Sequence, residues 1–189
     1  GDIGENTPTL ASLELLMDQD RDVTAVFVTG DWVLSVQAAG NGITVPAPGV
    51  YGYADGAEVC LSARLFSGGD AFSQWTGDLA PGANRLDAYQ RVTMNQHRTM
   101  TAEFIPGDWT LTLAQTGDGA GSLYPGTGVF SYLDGQYASV SEYSPPGVYF
   151  GGWSGDHSGY EERLQMLMDG NKSIEALFAT SGYTLTLAI

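Results

Sequence analysis

The segment Gly30-Asp31-Trp32-Val33-Leu34-Ser35-Val36 returns 77 residues later as Gly107-Asp108-Trp109-Thr110-Leu111-Thr112-Leu113, and Gly182-Tyr183-Thr184-Leu185-Thr186-Leu187 opens a further copy. The interiors follow the same order. Gly40 and Gly42 align with Gly117 and Gly119, and Asp55-Gly56 with Asp134-Gly135. Phe72-Ser73-Gln74-Trp75-Thr76-Gly77-Asp78 aligns with Phe150-Gly151-Gly152-Trp153-Ser154-Gly155-Asp156, and Met94-Asn95 with Met168-Asp169. Phe27, Phe104 and Phe178 close three successive copies. Self-similarity of this kind constrains the fold strongly, because each unit must bury its own small core or share one with a neighbour. Residues 1–29 read as the C-terminal part of a preceding repeat. Residues 30–106 and 107–181 read as complete β repeats, and 182–189 as the first strand of a following repeat. The expectation is a segment of a longer array.

Side-chain alternation assigns the units to β structure. Trp32, Leu34 and Val36 alternate with Val33, Ser35 and Gln37, and Trp109, Leu111 and Leu113 with Thr110, Thr112 and Ala114. Period two describes a strand with one buried face. The glycines at 40, 42, 117 and 119 supply turns, while Pro46, Pro48 and Pro125 keep the next segments from being central strands. Further strands are expected at 58–65 and 136–143, at 72–75 and 148–153, and at 89–94. The segments 10–17 and 161–168 suit either a short helix or a strand, and the β-like middle copy favours strand. The last strands fall at Val23 to Val28, Thr99 to Ile105 and Ser173 to Ala179. The fold class is therefore all-β, a tandem repeat with five to seven short strands per unit.

Charge narrows the partners. There are 22 acidic residues against 7 Lys and Arg, a net charge of −15. The four segments carry −5, −3, −7 and 0, so none is basic. A nucleic-acid or anionic-lipid partner needs a cationic footprint, and neither is expected. No run reaches the roughly 18 apolar residues of a membrane-spanning helix. The uniform negative charge predicts salt- or calcium-dependent stiffness, read as a melting temperature that moves with either.

Several residues invite a chemical reading, and each has a simpler one. Trp75 and Trp153 precede Gly-Asp, and Trp32 and Trp109 follow it. Exposed they would form a ligand platform; at strand positions they are expected in the core. Asp78, Asp156 and Asp118 offer oxygens of the kind calcium takes, and Asp18-Gln19-Asp20-Arg21-Asp22 resembles half a calcium loop without its distal Glu. Asx turns account for them equally well. No metal or cofactor is expected, with a structural calcium ion as the residual alternative. His97 and His157 fall at different repeat positions, with no partner at zinc spacing. Asp156-His157-Ser158 holds the residue types of a triad, but triads are assembled from separate elements. Glu161-Glu162 lacks the cleft that a glycosidase pair needs. Asp31 and Asp108 before Trp suggest no acid or base. Cys60, between Val59 and Leu61, is expected as a small buried hydrophobe. No catalytic, cofactor or metal residue is assigned, and the chain is expected not to be an enzyme.

Taken together, the aromatic-Thr-Leu-Thr-Leu opening, Gly-x-Gly, Pro-x-x-Gly and Tyr-x-x-Gly precede two longer stretches. These are Phe150-Gly151-Gly152-Trp153-Ser154-Gly155-Asp156 and Met168-Asp169-Gly170-Asn171-Lys172-Ser173-Ile174-Glu175-Ala176-Leu177-Phe178. This set resembles the divergent internalin B-type (InlB B-repeat-like) repeat domain of bacterial secreted and cell-surface proteins. The first complete copy departs from it at Gln74, Thr76 and Asn95-Gln96-His97-Arg98. The resemblance implies small β-rich modules related in topology to β-grasp folds, placed in tandem in exported proteins as stalk, spacer or adhesion scaffold. It implies an extracellular or cell-surface location and adjacent repeats of the same parent as partners, with self-association or a surface receptor as alternatives. Two other readings remain. One is a filament or matrix subunit joined by β-strand contacts. The other is a carbohydrate- or protein-binding adhesin module using aromatics such as Tyr51, Tyr53 and Tyr132.

Overall fold

The computed structural model describes residues 16, 19, 20, 22 and 26–180. Every regular element among them is a strand. The first copy contains β1 (Trp32–Ala39), β2 (Ile43–Val45), β3 (Gly49–Tyr53), β4 (Ala57–Arg64), β5 (Ala71–Gly77), β6 (Tyr89–Met94) and β7 (Arg98–Ile105). The second contains β8 (Trp109–Thr116), β9 (Ser122–Tyr124), β10 (Gly128–Tyr132), β11 (Tyr137–Tyr143), β12 (Tyr149–Gly155), β13 (Arg163–Leu167) and β14 (Lys172–Ala179). Each copy pairs a four-stranded sheet, β3-β1-β7-β5 or β10-β8-β14-β12, with a three-stranded one, β2-β4-β6 or β9-β11-β13. The four-stranded sheets have a parallel centre: Leu34 lies beside Arg98, and Leu111 beside Lys172. All other pairings are antiparallel.

The two sheets of a copy face one another across a core made from their alternating residues. In the first copy Leu34 and Val36 of β1 and Met100, Ala102 and Phe104 of β7 meet Val59 and Leu61 of β4 and Val92 and Met94 of β6. The second copy repeats this with Leu111, Leu113, Ile174, Ala176 and Phe178 against Ala138, Val140, Leu164 and Met166. Full burial of each large side chain contributes roughly 1.5–3 kcal/mol. Phe72 and Trp75 are three residues apart, so strict alternation would send them to opposite faces. A β-bulge between Phe72 and Gln74 corrects the phase, and both are buried. An equivalent bulge between Phe150 and Gly152 brings Phe150 against the core and buries Trp153.

The structure corrects three of the sequence expectations here. Gly42 aligns with Gly121 rather than Gly119: a Cβ at either position would enter the ring of Phe104 or Phe178, respectively. The second copy therefore carries two extra residues in this turn, and the register beyond it is offset by 79. Cys60 is exposed, because Val59 and Leu61 are the inward positions of β4 and period two turns the residue between them outward. Its counterpart is Ser139, also exposed. Residues 26–28 of the expected strand at Val23 to Val28 are not in a strand, and 23–25 lie outside the described residues. Phe27 is 93% exposed where Phe104 and Phe178 are buried, since no described sheet flanks it. The ambiguous segment 161–168 holds the strand β13; its counterpart at 10–17 falls almost wholly outside the described residues, as do 182–189.

Candidate functional site

The recurring polar motifs close each copy on itself. Trp32 Nε1–H donates to Asp55 Oδ1 at 2.6 Å, and the Asp55 amide donates to Asp31 Oδ2 at 3.0 Å. Trp109, Asp134 and Asp108 form the same clasp at 2.8 and 2.9 Å. Gly-Asp-Trp and the distant Asp-Gly are thus two halves of one hydrogen-bonded unit across the open end of β1–β3 or β8–β10. Trp75 and Trp153 lie in the cores, their indole N–H groups donating to Ala88 O and Glu161 O at 3.2 and 2.8 Å. A buried indole needs such an acceptor.

The remaining candidates have local tasks. Asp78 accepts the Thr99 amide and Asp156 the Ser173 amide, at 2.8 and 2.7 Å. Asp118 accepts both the amide and the hydroxyl of Thr180, which hold its carboxyl below the usual range. His97 Nδ1 accepts the Val33 amide at 3.1 Å while its ring meets Trp32 edge-on. His157 pairs with Glu161 at 2.5 Å, so Asp156, His157 and Ser158 form no relay. Glu162 offers its backbone carbonyl to the Glu142 amide. Asp18 and Arg21 lie outside the described residues. Among the described residues no group of three or more His, Cys, Asp or Glu is placed to hold a metal ion. Tyr132, expected among exposed ligand-binding aromatics, is buried instead. Burial, with Tyr124 nearby, pushes its hydroxyl up to about 12. Tyr51 and Tyr53 are half-buried.

What the candidate residues do not reveal is the junction between the copies. The β4–β5 loop of the first copy caps the outer edge of β10. Gly68 N–H donates to Val129 O at 2.9 Å, and Val129 N–H donates to Ser67 Oγ at 3.1 Å. Ser131 Oγ donates to Gly69 O at 2.9 Å, and Gln136 Nε2 to Phe72 O at 2.8 Å. Leu65 packs against both cores. Gly128 has φ +137°, and a Cβ there would collide with the Ser67 hydroxyl, so this edge admits the loop only as glycine. The loop occupies the backbone groups that an edge strand otherwise leaves free.

Beside this contact lies a cleft of about 450 Å³. The first copy contributes Arg64, Leu86 and Asp87, the second Tyr124, Tyr137 and Ser139, with Tyr132 and Gln136 also lining it. A contiguous hollow of about 360 Å³ extends it to Ser62 and Tyr89. None of these residues stands out in either copy alone. The available signal is the difference between the copies once aligned at an offset of 79: Val45 against Tyr124, Glu58 against Tyr137 and Gly52 against Ser131.

Comparison with known families matches the chain twice to the Divergent InlB B-repeat domain, over residues 32–108 and 111–182. No curated protein and no solved structure matches. Among the described residues no helix is long and apolar enough to cross a membrane.

Proposed function

The chain belongs to the divergent InlB B-repeat family, and on that premise we propose that it is a non-enzymatic spacer in a larger exported bacterial protein. In this reading it holds the parts on either side at a fixed distance and angle at the cell surface, as stalk or adhesion scaffold. The observation that carries the reading is the junction. Two backbone groups of Val129, two side-chain donors and the shared Leu65 fasten the second copy to the first. A linker meant only to tether would not use glycine at a contact too tight for a Cβ. The recurring Asp and Trp motifs support the same reading, since their polar groups are spent on clasping strands. The net charge of −15 supports solubility at high local density.

The test is rotational. In ¹⁵N relaxation measurements on the 189-residue chain, amides of the two copies are expected to report one elongated body tumbling as a unit. Two independent correlation times, each that of a unit near 75 residues, would overturn the spacer reading.

A further inference from the structure

Two side chains of the junction cleft, Tyr124 and Tyr137, are needed neither for the junction contacts nor for the core. Tyr124 is 60% exposed and Tyr137 65% exposed, so neither ring contributes much to the core. The same strand positions in the first copy are filled by Val45 and Glu58. Two large rings therefore stand on one wall where a valine and a glutamate satisfy the same fold. The opposite wall carries Arg64 and Asp87. Arg64 spends only its Nε, on Ser62 Oγ at 3.3 Å; its two terminal nitrogens make no hydrogen bond among the described residues. Asp87 Oδ1 accepts the Tyr89 amide, which fixes the carboxylate and leaves its second oxygen open.

The geometry points to a binding site for a neutral oligosaccharide, gripped between the two copies. Pyranose rings present C–H faces that stack on exposed aromatic faces, and vicinal hydroxyls that match a guanidinium and a carboxylate held opposite. The volume of about 450 Å³ lies in the range of small-ligand sites and takes a short stretch of glycan. Charge selects the class. Arg64 and Asp87 nearly cancel within the cleft, while the whole chain at −15 repels polyanionic glycans. A proline-rich peptide also favours tyrosines, but it docks along an open aromatic groove and does not call for an opposed Arg and Asp pair. Because the walls come from different copies, the site exists only where the first copy meets the second.

The experiment is an amide chemical-shift titration of the full chain with maltotriose, cellotriose and triacetylchitotriose, and separately with decaproline. At least one of the sugars is expected to give saturable shifts at Ser62 to Arg64, Asp87, Tyr124 and Tyr137. Tyr124→Ala and Tyr137→Ala are each expected to weaken binding about ten-fold. Tyr124→Phe, which keeps the ring, is expected to bind within about two-fold of the parent chain. Both tyrosines are exposed, so the alanine variants keep the parent melting temperature, which separates lost binding from lost fold. No saturable shift with any of the three sugars overturns the proposal. So do shifts that map elsewhere, sugar binding unchanged in the alanine variants, or binding by decaproline alone.

Discussion

In the first copy Trp75 lies 6.3 Å from Phe72, which lies 5.8 Å from Phe104; in the second, Trp153 lies 5.1 Å from Phe150, which lies 5.7 Å from Phe178. The clasps of Trp32 and Trp109 also agree to within a few tenths of an ångström. At the rims the copies part. Val45, Gly52 and Glu58 become Tyr124, Ser131 and Tyr137, and the turn after β8 gains two residues. The same pair of sheets must be filled in each copy, so core positions recur as apolar residues even where their identity changes, as Val59 to Ala138 and Met100 to Ile174. A rim faces whatever stands beside it, and the two copies have different neighbours: β10 meets the loop of the first copy, whereas no described loop covers Val50 of β3.

The sharpest way to break the likeness of the cores is to remove each tryptophan in turn. Trp75→Ala and Trp153→Ala are each expected to cost about 3–5 kcal/mol. A unit near 75 residues has roughly 4–11 kcal/mol in total. Each variant should therefore melt its own copy well below the parent temperature, near room temperature if the parent unit sits at the low end of that range, and leave the other folded, read from near-ultraviolet circular dichroism and amide spectra. Loss of both copies on either substitution would show one cooperative unit instead of two.

Arg98 and Lys172 occupy the same place at the start of β7 and β14 but do different work. Arg98 is buried and donates to Thr93 O, Asp78 O and Asn95 Oδ1 at 3.2, 2.8 and 3.0 Å, tying two loops to the strand. Among the described residues the Lys172 ammonium pairs with Asp169, itself exposed, at 2.7 Å. Arg98→Met is expected to destabilise the first copy by about 2–3 kcal/mol, since it removes three hydrogen bonds donated by a buried, charged guanidinium. Lys172→Met should change the second by about 0.5 kcal/mol or less. Equal losses in denaturant titrations would remove the distinction.

The glycines that open the two edge strands, Gly49 and Gly128, stand in different surroundings. Gly49→Ala in the first copy places its Cβ 3.3 Å from the Tyr51 hydroxyl, a contact that a small shift relieves. Gly128→Ala in the second drives a Cβ into Ser67 and forces an alanine to φ +137°. The second substitution should release the junction, so that relaxation data separate into two correlation times, at a stability cost of about 1–3 kcal/mol. The first should leave the tumbling unchanged. Unaltered tumbling in Gly128→Ala would mean that Leu65 and the side-chain bonds hold the copies without the backbone contact.

Much of this fold is legible in the residues because period-two alternation and the Gly and Pro punctuation are local signals. Leu34, Val36, Leu111 and Leu113 announce their strands directly. Cys60 reads as buried from its flanking hydrophobes, but the alternation of β4 turns it outward. Gly42 pairs with Gly119 by pattern, because a two-residue insertion leaves Gly-x-Gly intact; the ring of Phe178 shows that Gly121 is the counterpart. Phe27 reads as core by its repeat position, but burial requires flanking sheets that no sequence pattern supplies. The junction and cleft were illegible for a stronger reason. Gly68 and Val129 lie 61 positions apart and meet through the relative placement of two units, and nothing local encodes that placement. Tyr132 and Tyr124 look equivalent as aromatics, yet Tyr132 on β10 is buried in the core and Tyr124 on β9, in the other sheet, is exposed.

The smallest expected difference between the copies is their response to acid. Asp118 occupies the place of Asn41, which carries no proton to gain. The Thr180 amide and then its hydroxyl hold the Asp118 carboxyl below its ordinary 3.8. Lys172 does the same for Asp169, by a hydrogen bond and then by charge. Glu161 is held below its ordinary 4.5 by its own amide first and by His157 next. A carboxyl whose folded pKa is depressed adds stability that is fully present above the unfolded value and lost as pH falls through the folded one. All three lie in the second copy, so its melting transition should move down as pH falls below about 4. The groups are fully exposed, which keeps the displacement modest. Asp118→Asn makes the second copy resemble the first at this position and should remove part of the acid sensitivity while leaving the neutral-pH melting temperature slightly lowered. If the variant and parent lose stability in parallel from pH 5 to pH 3, the Thr180 contact plays no part, and the acid response belongs to the general loss of charge across the chain.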